Sequence, residues 1–190
     1  ARAAGADAIK FQVHYLEHEM LRDVPTSANF SKPLWQVLEE TNLSDEQHVT
    51  LKERCDALGV QYLCTAYCKE GAAFLASIGV PLLKTGSGET TNHPFLRAIA
   101  LHGIPLLVST GMTELDEVDR TIEVLRETGT PFGITHCTSE YPPAYEDVNL
   151  GMIPLYKERY GVVVGHSDHS PTVYTALGAV AFGAAVVEKN

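Results

Sequence analysis

The sequence alternates short apolar runs with amphipathic segments. Seven of the runs are rich in Val, Ile and Leu, and most are apolar on both faces, as in parallel strands covered by helices. They lie at residues 8–12, 61–65, 82–86, 105–109, 132–138, 162–165 and 184–189. A repeated strand-then-helix order restricts the chain to an open doubly wound sheet or a closed β/α barrel.

Helix signals lie between these runs. One helix is predicted over 44–59, which opens with a serine suited to an N-cap and stops at a glycine. A second is predicted over 113–129, with acidic residues in its first turn and a glycine at its end. The stretch 21–42 contains two prolines and breaks the rhythm. We interpret it as an excursion loop with a short helix near 35–40.

Two features favour the barrel over the open sheet. No GxGxxG or GxxxxGK loop follows the first run, and polar residues follow nearly every run instead of gathering at one switch point. Residues 1–7 look like the end of a helix entering a strand. We therefore predict an α/β protein, a single partial (β/α)8 TIM-barrel domain over residues 1–190 that lacks the first strand of the barrel.

Composition excludes several classes of function. The chain has 190 residues, 45% of them hydrophobic, and a formal net charge of −10 without any basic stripe, which argues against a nucleic-acid partner. No apolar stretch approaches the roughly 20 residues of a membrane helix, and no signal pattern opens the chain. The four cysteines form neither a CxxC pair nor a secreted framework, which favours a reducing cytoplasm.

Polar side chains gather where the predicted strands end, which is where barrel enzymes build their sites. Two lysines there, Lys10 and Lys84, need an anionic partner, because an unpaired buried charge is unfavourable. A structural ion pair with Glu188 or Glu89 would satisfy them. A bound phosphate would satisfy them too, and nearby hydroxyls suit its oxygens. Those hydroxyls belong to Thr65, Ser87, Ser109 and Ser167.

Two further features leave alternatives open. The glycines in KTGSGE at 84–89 permit either an ordinary tight turn or an anion-binding nest of backbone amides. His166 and His169 follow a strand, where a catalytic metal or a general acid/base is plausible. His136 is expected to be a hydrogen-bonded core residue. Four histidines without companion ligands are expected at the surface or at helix caps: His18, His48, His93 and His102.

Five motifs occur in order, each after a predicted strand: KFQ, KTGSGETTN, VSTGM, HCTSEYPPAYEDVNL and GHSDHS. Together they resemble the sialic acid synthase (N-acetylneuraminate synthase) family over nearly the whole chain. The resemblance implies a transferase that condenses phosphoenolpyruvate with N-acetylmannosamine or a related amino sugar, giving a sialic acid and phosphate. It also implies a manganese-type divalent cofactor, a homodimer and a C-terminal antifreeze-like domain that this chain lacks.

The same resemblance assigns roles to individual residues. Glu89 resembles an acid near the reacting carbons, and Glu89 and Lys84 are the candidate catalytic residues. Gln12 and Tyr141 resemble residues that face the sugar, and His169 resembles one of two metal-binding histidines. The position of the second histidine is occupied by Asn190. Phosphoenolpyruvate is expected to bind at Lys10, Thr65, Lys84, Ser87, Ser109, Ser139 and Ser167.

Departures from the family pattern keep other functions open. Besides Asn190, close relatives that bind N-acetylmannosamine often carry Asn where this chain has Ser139, and the first strand with its acidic residue lies outside the chain. We expect the 190-residue chain to be an inactive fragment of a synthase. One alternative is a non-catalytic sugar-binding or polysaccharide-biosynthesis accessory protein that has lost the metal. Another is a different barrel aldolase that uses Lys84 as a Schiff base.

Overall fold

A computed structural model describes residues 1–24, 26 and 31–189 of the chain. The chain divides into two compact units, Ala1–Leu83 and the part from Lys84 onward. Within the described residues, no helix combines the length and the apolar character that a membrane crossing requires.

The first unit contains two parallel strands and three α-helices. Strand β1 pairs with β2 in register from Ala8 opposite Gln61 to Val13 opposite Ala66. The elements are β1 (Ala8–Val13), α1 (Leu34–Thr41), α2 (Asp45–Leu58), β2 (Gln61–Ala66) and α3 (Lys69–Ser77), with 3-10 turns at Arg2–Ala4 and Leu16–His18. The predicted short helix of the excursion is present as α1. Residues 25 and 27–30 of that excursion lie outside the described residues.

The second unit continues the strand-then-helix order. Strand β4 pairs with β5, β5 with β6 and β6 with β7, and all three pairings are parallel. The elements are β3 (Leu83–Thr85, which starts at the last residue of the first unit), α4 (His93–Ala100), β4 (Leu106–Ser109), α5 (Leu115–Thr128), β5 (Phe132–Cys137), α6 (Met152–Tyr160), β6 (Val163–Asp168), α7 (Tyr174–Ala181) and β7 (Val186–Lys189), with 3-10 turns at Ser87–Glu89 and Tyr145–Asp147.

Local sequence signals explain where the helices begin and end. Ser44 caps α2 through its side chain, and Gln47 returns a bond to the Ser44 backbone, which completes a capping box. The helix ends at Gly59, whose φ of 65° lies in the left-handed region that glycine adopts without strain. Helix α5 ends in the same way at Gly129, with φ 70°. All seven predicted strands and the three predicted helices are confirmed, with end shifts of a few residues.

The prediction that His48 lies at the surface or caps a helix is wrong. His48 is fully buried on α2, and its Nδ1 lies 2.7 Å from the hydroxyl oxygen of Tyr62. The helix could not be oriented from sequence because α2 has few apolar residues to mark its inner face. Burial disfavours the charged imidazolium and lowers the pKa of His48 below its usual value.

This burial predicts an acid-sensitive fold. The unfolded chain binds a proton at His48 near the ordinary histidine pKa, whereas the folded chain resists it, so stability falls as pH drops through that range. The loss from one such site is at most about 1.4 kcal/mol for each pH unit. Urea unfolding between pH 7.5 and 5 is expected to show a smaller acid loss in His48→Phe than in the wild type. His102→Phe, at an exposed position, should retain the wild-type slope, and equal slopes in all three would contradict the prediction.

The outer side of α7 is apolar and exposed. Tyr174 and Leu177 are 73% and 64% exposed, and Val173, Val180 and Phe182 extend the same surface. We call these five residues the α7 face. Contiguous apolar surface of this kind drives association in water.

We therefore expect the 190-residue chain, prepared alone, to self-associate through the α7 face. Sedimentation velocity at increasing concentration should show larger species, and the double variant Leu177→Ser/Val180→Ser should shift the distribution toward the monomer. Leu101→Ser provides a matched control, because Leu101 is 88% exposed but lies outside this face. A distribution that the double variant leaves unchanged would contradict the prediction.

Candidate functional site

Lys84 is a buried cation at the start of the second unit. Its Nζ donates to the Ser109 hydroxyl at 2.6 Å and lies 3.4 Å from the Thr85 carbonyl oxygen. It also forms an ion pair with Glu188 at 3.1 Å. Because a buried ammonium group is unfavourable unless it is compensated, these contacts explain how the fold tolerates it. The sequence offers Glu188 and Glu89 as structural partners for this lysine, and the structure pairs it with Glu188.

Ser109 is held in a network of buried hydroxyls. Its Oγ lies 3.0 Å from the Thr135 hydroxyl in addition to the bond from Lys84. The Thr90 hydroxyl lies 2.5 Å from the Ser109 carbonyl oxygen and 2.7 Å from that of Ser87. These contacts link the end of β4 to the turn that follows β3. Two of the predicted phosphate-binding serines are thus tied to one small scaffold.

Two predicted residues, Ser87 and Ser139, meet beside Gly111. The Gly111 amide donates to the Ser87 hydroxyl at 3.1 Å, and a Cβ at Gly111 would collide with the hydroxyls of both Ser87 and Ser139. Ser87 and Ser167 lie near the Cys137 sulfur and help to lower the pKa of its thiol. We call Ser87, Ser139 and Ser167 the serine cluster. Ser87 and Ser139 follow β3 and β5, and Ser167 lies near the end of β6.

Cys137 and His169 lie next to this cluster and affect each other. The sulfur is 4.0 Å from His169 Nε2. Burial disfavours the Cys137 thiolate, but the neighbouring His169, Ser87 and Ser167 outweigh it and lower the pKa of the thiol. Burial likewise disfavours the imidazolium, yet Cys137 and the Thr138 carbonyl raise the pKa of His169. Each of the two groups therefore favours the charged form of the other.

The turn after β3 resolves one of the alternatives. Residues Ser87–Glu89 form a 3-10 turn in which the amides of Glu89 and Thr90 bond back to the carbonyls of Gly86 and Ser87. An anion-binding nest alternates residues of right-handed and left-handed backbone conformation and so requires a positive φ. Neither Gly86 nor Gly88 has one. The segment is an ordinary turn. The Glu89 carboxylate accepts a hydrogen bond from Asn92 Nδ2 at 2.7 Å, and its catalytic role stays a prediction.

The first unit contains the remaining candidates. Lys10 donates to the Thr65 hydroxyl at 3.2 Å, and Gln12 Nε2 donates to the Tyr67 hydroxyl at 2.9 Å. Lys10 and Gln12 are two positions apart on β1, so their side chains point to the same face of the sheet. Within this unit the structure therefore brings together Lys10 and Thr65, two predicted phosphoenolpyruvate contacts. That Lys10 and Lys84 meet over one anion stays a prediction.

Sequence reasoning missed two residues at the centre of the second unit. In the sequence, Gly111 is one residue of the motif VSTGM, and Cys137 is one of four cysteines without a pairing motif. Their positions directly after or at the end of apolar strands β4 and β5 were the available signals. Their importance depends on which side chains surround them.

His169 has the geometry of a metal ligand. Its Nδ1–H donates to the Thr138 carbonyl at 2.9 Å, so Nε2 carries the lone pair in the neutral ring. Nε2 lies 3.1 Å from the Tyr141 hydroxyl, and the two rings stack with centroids 4.0 Å apart. Across residues 1–24, 26 and 31–189, no three His, Cys, Asp or Glu side chains form a metal-binding group. Asn190, the predicted second ligand, lies outside the described residues. His169 therefore suits the role of one metal ligand, and the metal itself stays a prediction.

The amino-acid sequence matches the NeuB family model over residues 1–190. This chain belongs to the NeuB family. The resemblance to sialic acid synthases inferred from five motifs is thereby confirmed.

Several curated relatives are named as sugar-acid synthases. The chain is 34% identical to N,N'-diacetyllegionaminic acid synthase of Legionella pneumophila, over 100% of the chain and 56% of that protein. It is 30% identical to N-acetylneuraminate-9-phosphate synthase of Homo sapiens, over 100% of the chain and 55% of that protein. The chain therefore spans little more than half the length of these NeuB relatives.

The crystal structure of N-acetylneuraminic acid synthetase from Leptospira borgpetersenii superposes with a TM-score of 0.87. The sequences are 29% identical, and the match covers 98% of this chain and 62% of that one. This similarity confirms the predicted α/β fold of the TIM-barrel class and excludes the open doubly wound sheet. The absence of the barrel's first strand from this chain is consistent with it.

The space beside Gly111 gives a test of the serine cluster. In Gly111→Ala the new methyl group would displace the Ser87 and Ser139 hydroxyls, whose contact distances leave no room for it. If each hydroxyl contributes about 1 kcal/mol to holding an anion, calorimetry should show inorganic phosphate binding weakened by about tenfold or more. Gly88→Ala is the control, because a Cβ there meets nothing within 4 Å. Unchanged phosphate affinity in a folded Gly111→Ala variant would contradict the prediction.

Proposed function

We propose that the protein carrying this chain condenses phosphoenolpyruvate with N-acetylmannosamine or a related amino sugar, releasing inorganic phosphate. The observation that carries the proposal is the arrangement in the second unit, where Lys84 donates to Ser109 and the hydroxyls of Ser87 and Ser139 lie against Gly111. Membership of the NeuB family, whose relatives include legionaminic and N-acetylneuraminate-9-phosphate synthases, supports the same class of reaction.

A phosphate group suits this arrangement. Its oxygens accept several hydrogen bonds at once, and hydroxyl groups with one cation supply donors without a large desolvation cost. The chain carries a formal charge of −10, so a dianion needs such a local site. We infer that Lys84, Ser109 and the serine cluster bind the phosphoryl group. They would position it and stabilise its charge without transferring a proton.

The proposed reaction forms one carbon–carbon bond and breaks one carbon–oxygen bond. The terminal alkene carbon of phosphoenolpyruvate attacks the aldehyde carbon of the open-chain sugar, which leaves a cation at the adjacent carbon. Water adds to that carbon, and the bridging oxygen then departs with the phosphate to leave a ketone. Glu89, held by Asn92, is proposed to act near the reacting carbons. Tyr141 and Gln12 are proposed to contact the sugar.

A bound divalent cation, manganese by resemblance, would polarise the aldehyde carbonyl toward attack. His169 would hold it through Nε2, because the Nδ1–H group donates its hydrogen bond to the Thr138 carbonyl oxygen. Tyr141, stacked on His169, places the proposed sugar contact beside this ligand.

The surroundings of Lys84 argue against a Schiff-base aldolase. Such an enzyme needs a neutral amine as its nucleophile. Lys84 instead pairs with the Glu188 carboxylate and donates to a hydroxyl, an environment that favours the ammonium form. Borohydride treatment in the presence of substrate should therefore leave Lys84 unmodified.

The complete polypeptide that contains this chain gives the direct test. With manganese, N-acetylmannosamine and phosphoenolpyruvate labelled with ¹⁸O at the bridging oxygen, we expect a nonulosonic acid and phosphate that carries the label. Lys84→Met should lower kcat/KM by at least about 100-fold, since it removes the cation that stabilises the phosphoryl group.

Three outcomes would oppose the proposal. Unlabelled phosphate would contradict carbon–oxygen cleavage, and full activity of Lys84→Met would contradict the assigned phosphate site. Absence of both manganese uptake by calorimetry and turnover with N-acetylmannosamine, diacetamido sugars and their phosphates would favour the accessory-protein alternative. The 190-residue chain alone is expected to be inactive, and robust turnover by it would contradict that expectation.

A further inference from the structure

A buried carboxylate lies behind β1 in the first unit. The Glu19 side chain is 3% exposed, and its Oε1 accepts the backbone N–H of Tyr15 at 2.7 Å. Its Oε2 lies 2.8 Å from His14 Nδ1, and the Cys68 thiol donates toward Oε1 at 3.8 Å. A carboxylate buried to this extent normally has a defined task, because its desolvation must be offset by donors arranged around it.

Glu19 fixes the position of His14 Nδ1 and requires a hydrogen on it. The carboxylate oxygen accepts only, so His14 Nδ1 carries a hydrogen, and Nε2 faces away from Glu19. The His14 side chain is 9% exposed, and its ring stacks on Tyr67 with centroids 4.7 Å apart and planes 14° apart. The ring is therefore restrained in both position and rotation.

The outward nitrogen of His14 contacts the amide of Gln12. His14 Nε2 lies 3.4 Å from Gln12 Oε1, an oxygen that accepts the Nε2 hydrogen when both ring nitrogens are protonated and the ring is paired with Glu19. Gln12 Nε2 donates to the Tyr67 hydroxyl at 2.9 Å. The two ends of the exposed Gln12 amide thus meet two restrained groups. A free glutamine side chain loses rotamer entropy when a ligand immobilises it, and this arrangement removes much of that loss in advance.

We propose that His14 and Glu19 are positioning residues that hold the Gln12 amide in one orientation for the amino sugar. The inference rests on the proposed function, which assigns Gln12 to the sugar. A fixed amide presents its donor and its acceptor at defined places and so distinguishes sugar substituents by hydrogen-bond polarity. His14 and Glu19 act through Gln12 and do not touch the reacting atoms.

Kinetics of the complete polypeptide test this role. His14→Phe keeps a ring against Tyr67 but removes both nitrogens, and Glu19→Gln keeps the shape but removes the charge. Each is expected to raise KM for the amino sugar by about tenfold or more while KM for phosphoenolpyruvate changes by less than about twofold. His18→Phe and Glu17→Gln are matched controls on the 3-10 turn Leu16–His18, with side chains 52% and 64% exposed, and should leave both constants unchanged.

A double-mutant cycle separates positioning from general structural support. In a Gln12→Ala background, His14→Phe should add less than about twofold to KM for the sugar, because its effect passes through the missing amide. A full additional effect in that background, or equal increases in KM for both substrates, would overturn the proposal. Melting temperatures of all variants identify any that fail to fold, and His14→Phe then stands in for Glu19→Gln.

A spectroscopic measurement needs no turnover. In protein labelled with ¹⁵N at glutamine side chains, the Gln12 amide protons, assigned by Gln12→Ala, should be resolved and slow to exchange in the wild type and in Glu17→Gln. They should average and exchange faster in His14→Phe and Glu19→Gln. If this pattern holds in a protein without synthase activity, the proposed function fails and the positioning role stands. If an active synthase lacks the pattern, the positioning role fails alone.

Discussion

The buried ammonium group of Lys84 imposes the arrangement of the second unit. A cation in that position must be compensated, and the compensation comes from Glu188 on β7 and Ser109 at the end of β4. The charge therefore ties together residues from strands that are distant in sequence, all near the carboxyl ends where barrel enzymes place their chemistry. Ser109 in turn anchors Thr135, so one charge orders a wider set of hydroxyls.

Small residues make room for this polar centre. Gly111 has its importance through the atom that it lacks, because a side chain there would occupy the space of Ser87 and Ser139. Cys137 supplies a polarisable sulfur, and the nearby Ser87 and Ser167 help to lower the pKa of its thiol. A group of neutral donors around one cation can receive the oxygens of the proposed phosphate group, because each hydroxyl can be desolvated at modest cost.

The first unit applies the same physical rule to a different group. Glu19 is a buried charge satisfied by His14 and by the backbone of Tyr15, and its effect reaches the surface as a restrained Gln12 amide. In both units a buried charge orients polar groups that a substrate could contact. Two such sites, one in each unit, fit a NeuB family enzyme whose two proposed substrates differ in chemistry, one a phosphate ester and the other an amino sugar.

Much of the architecture follows from information local in the chain. Apolar runs predict the seven strands, and the serine and glycines at the ends of α2 and α5 predict where helices start or stop, because periodicity and capping act over a few residues. Motif order likewise identifies the family. Tertiary structure decided the burial of His48, the pairing of Lys84 with Glu188, the convergence of serines on Gly111 and the link from Glu19 to Gln12. These depend on which elements pack together, since the energy of a buried polar group is set by its neighbours in space and not by those in sequence.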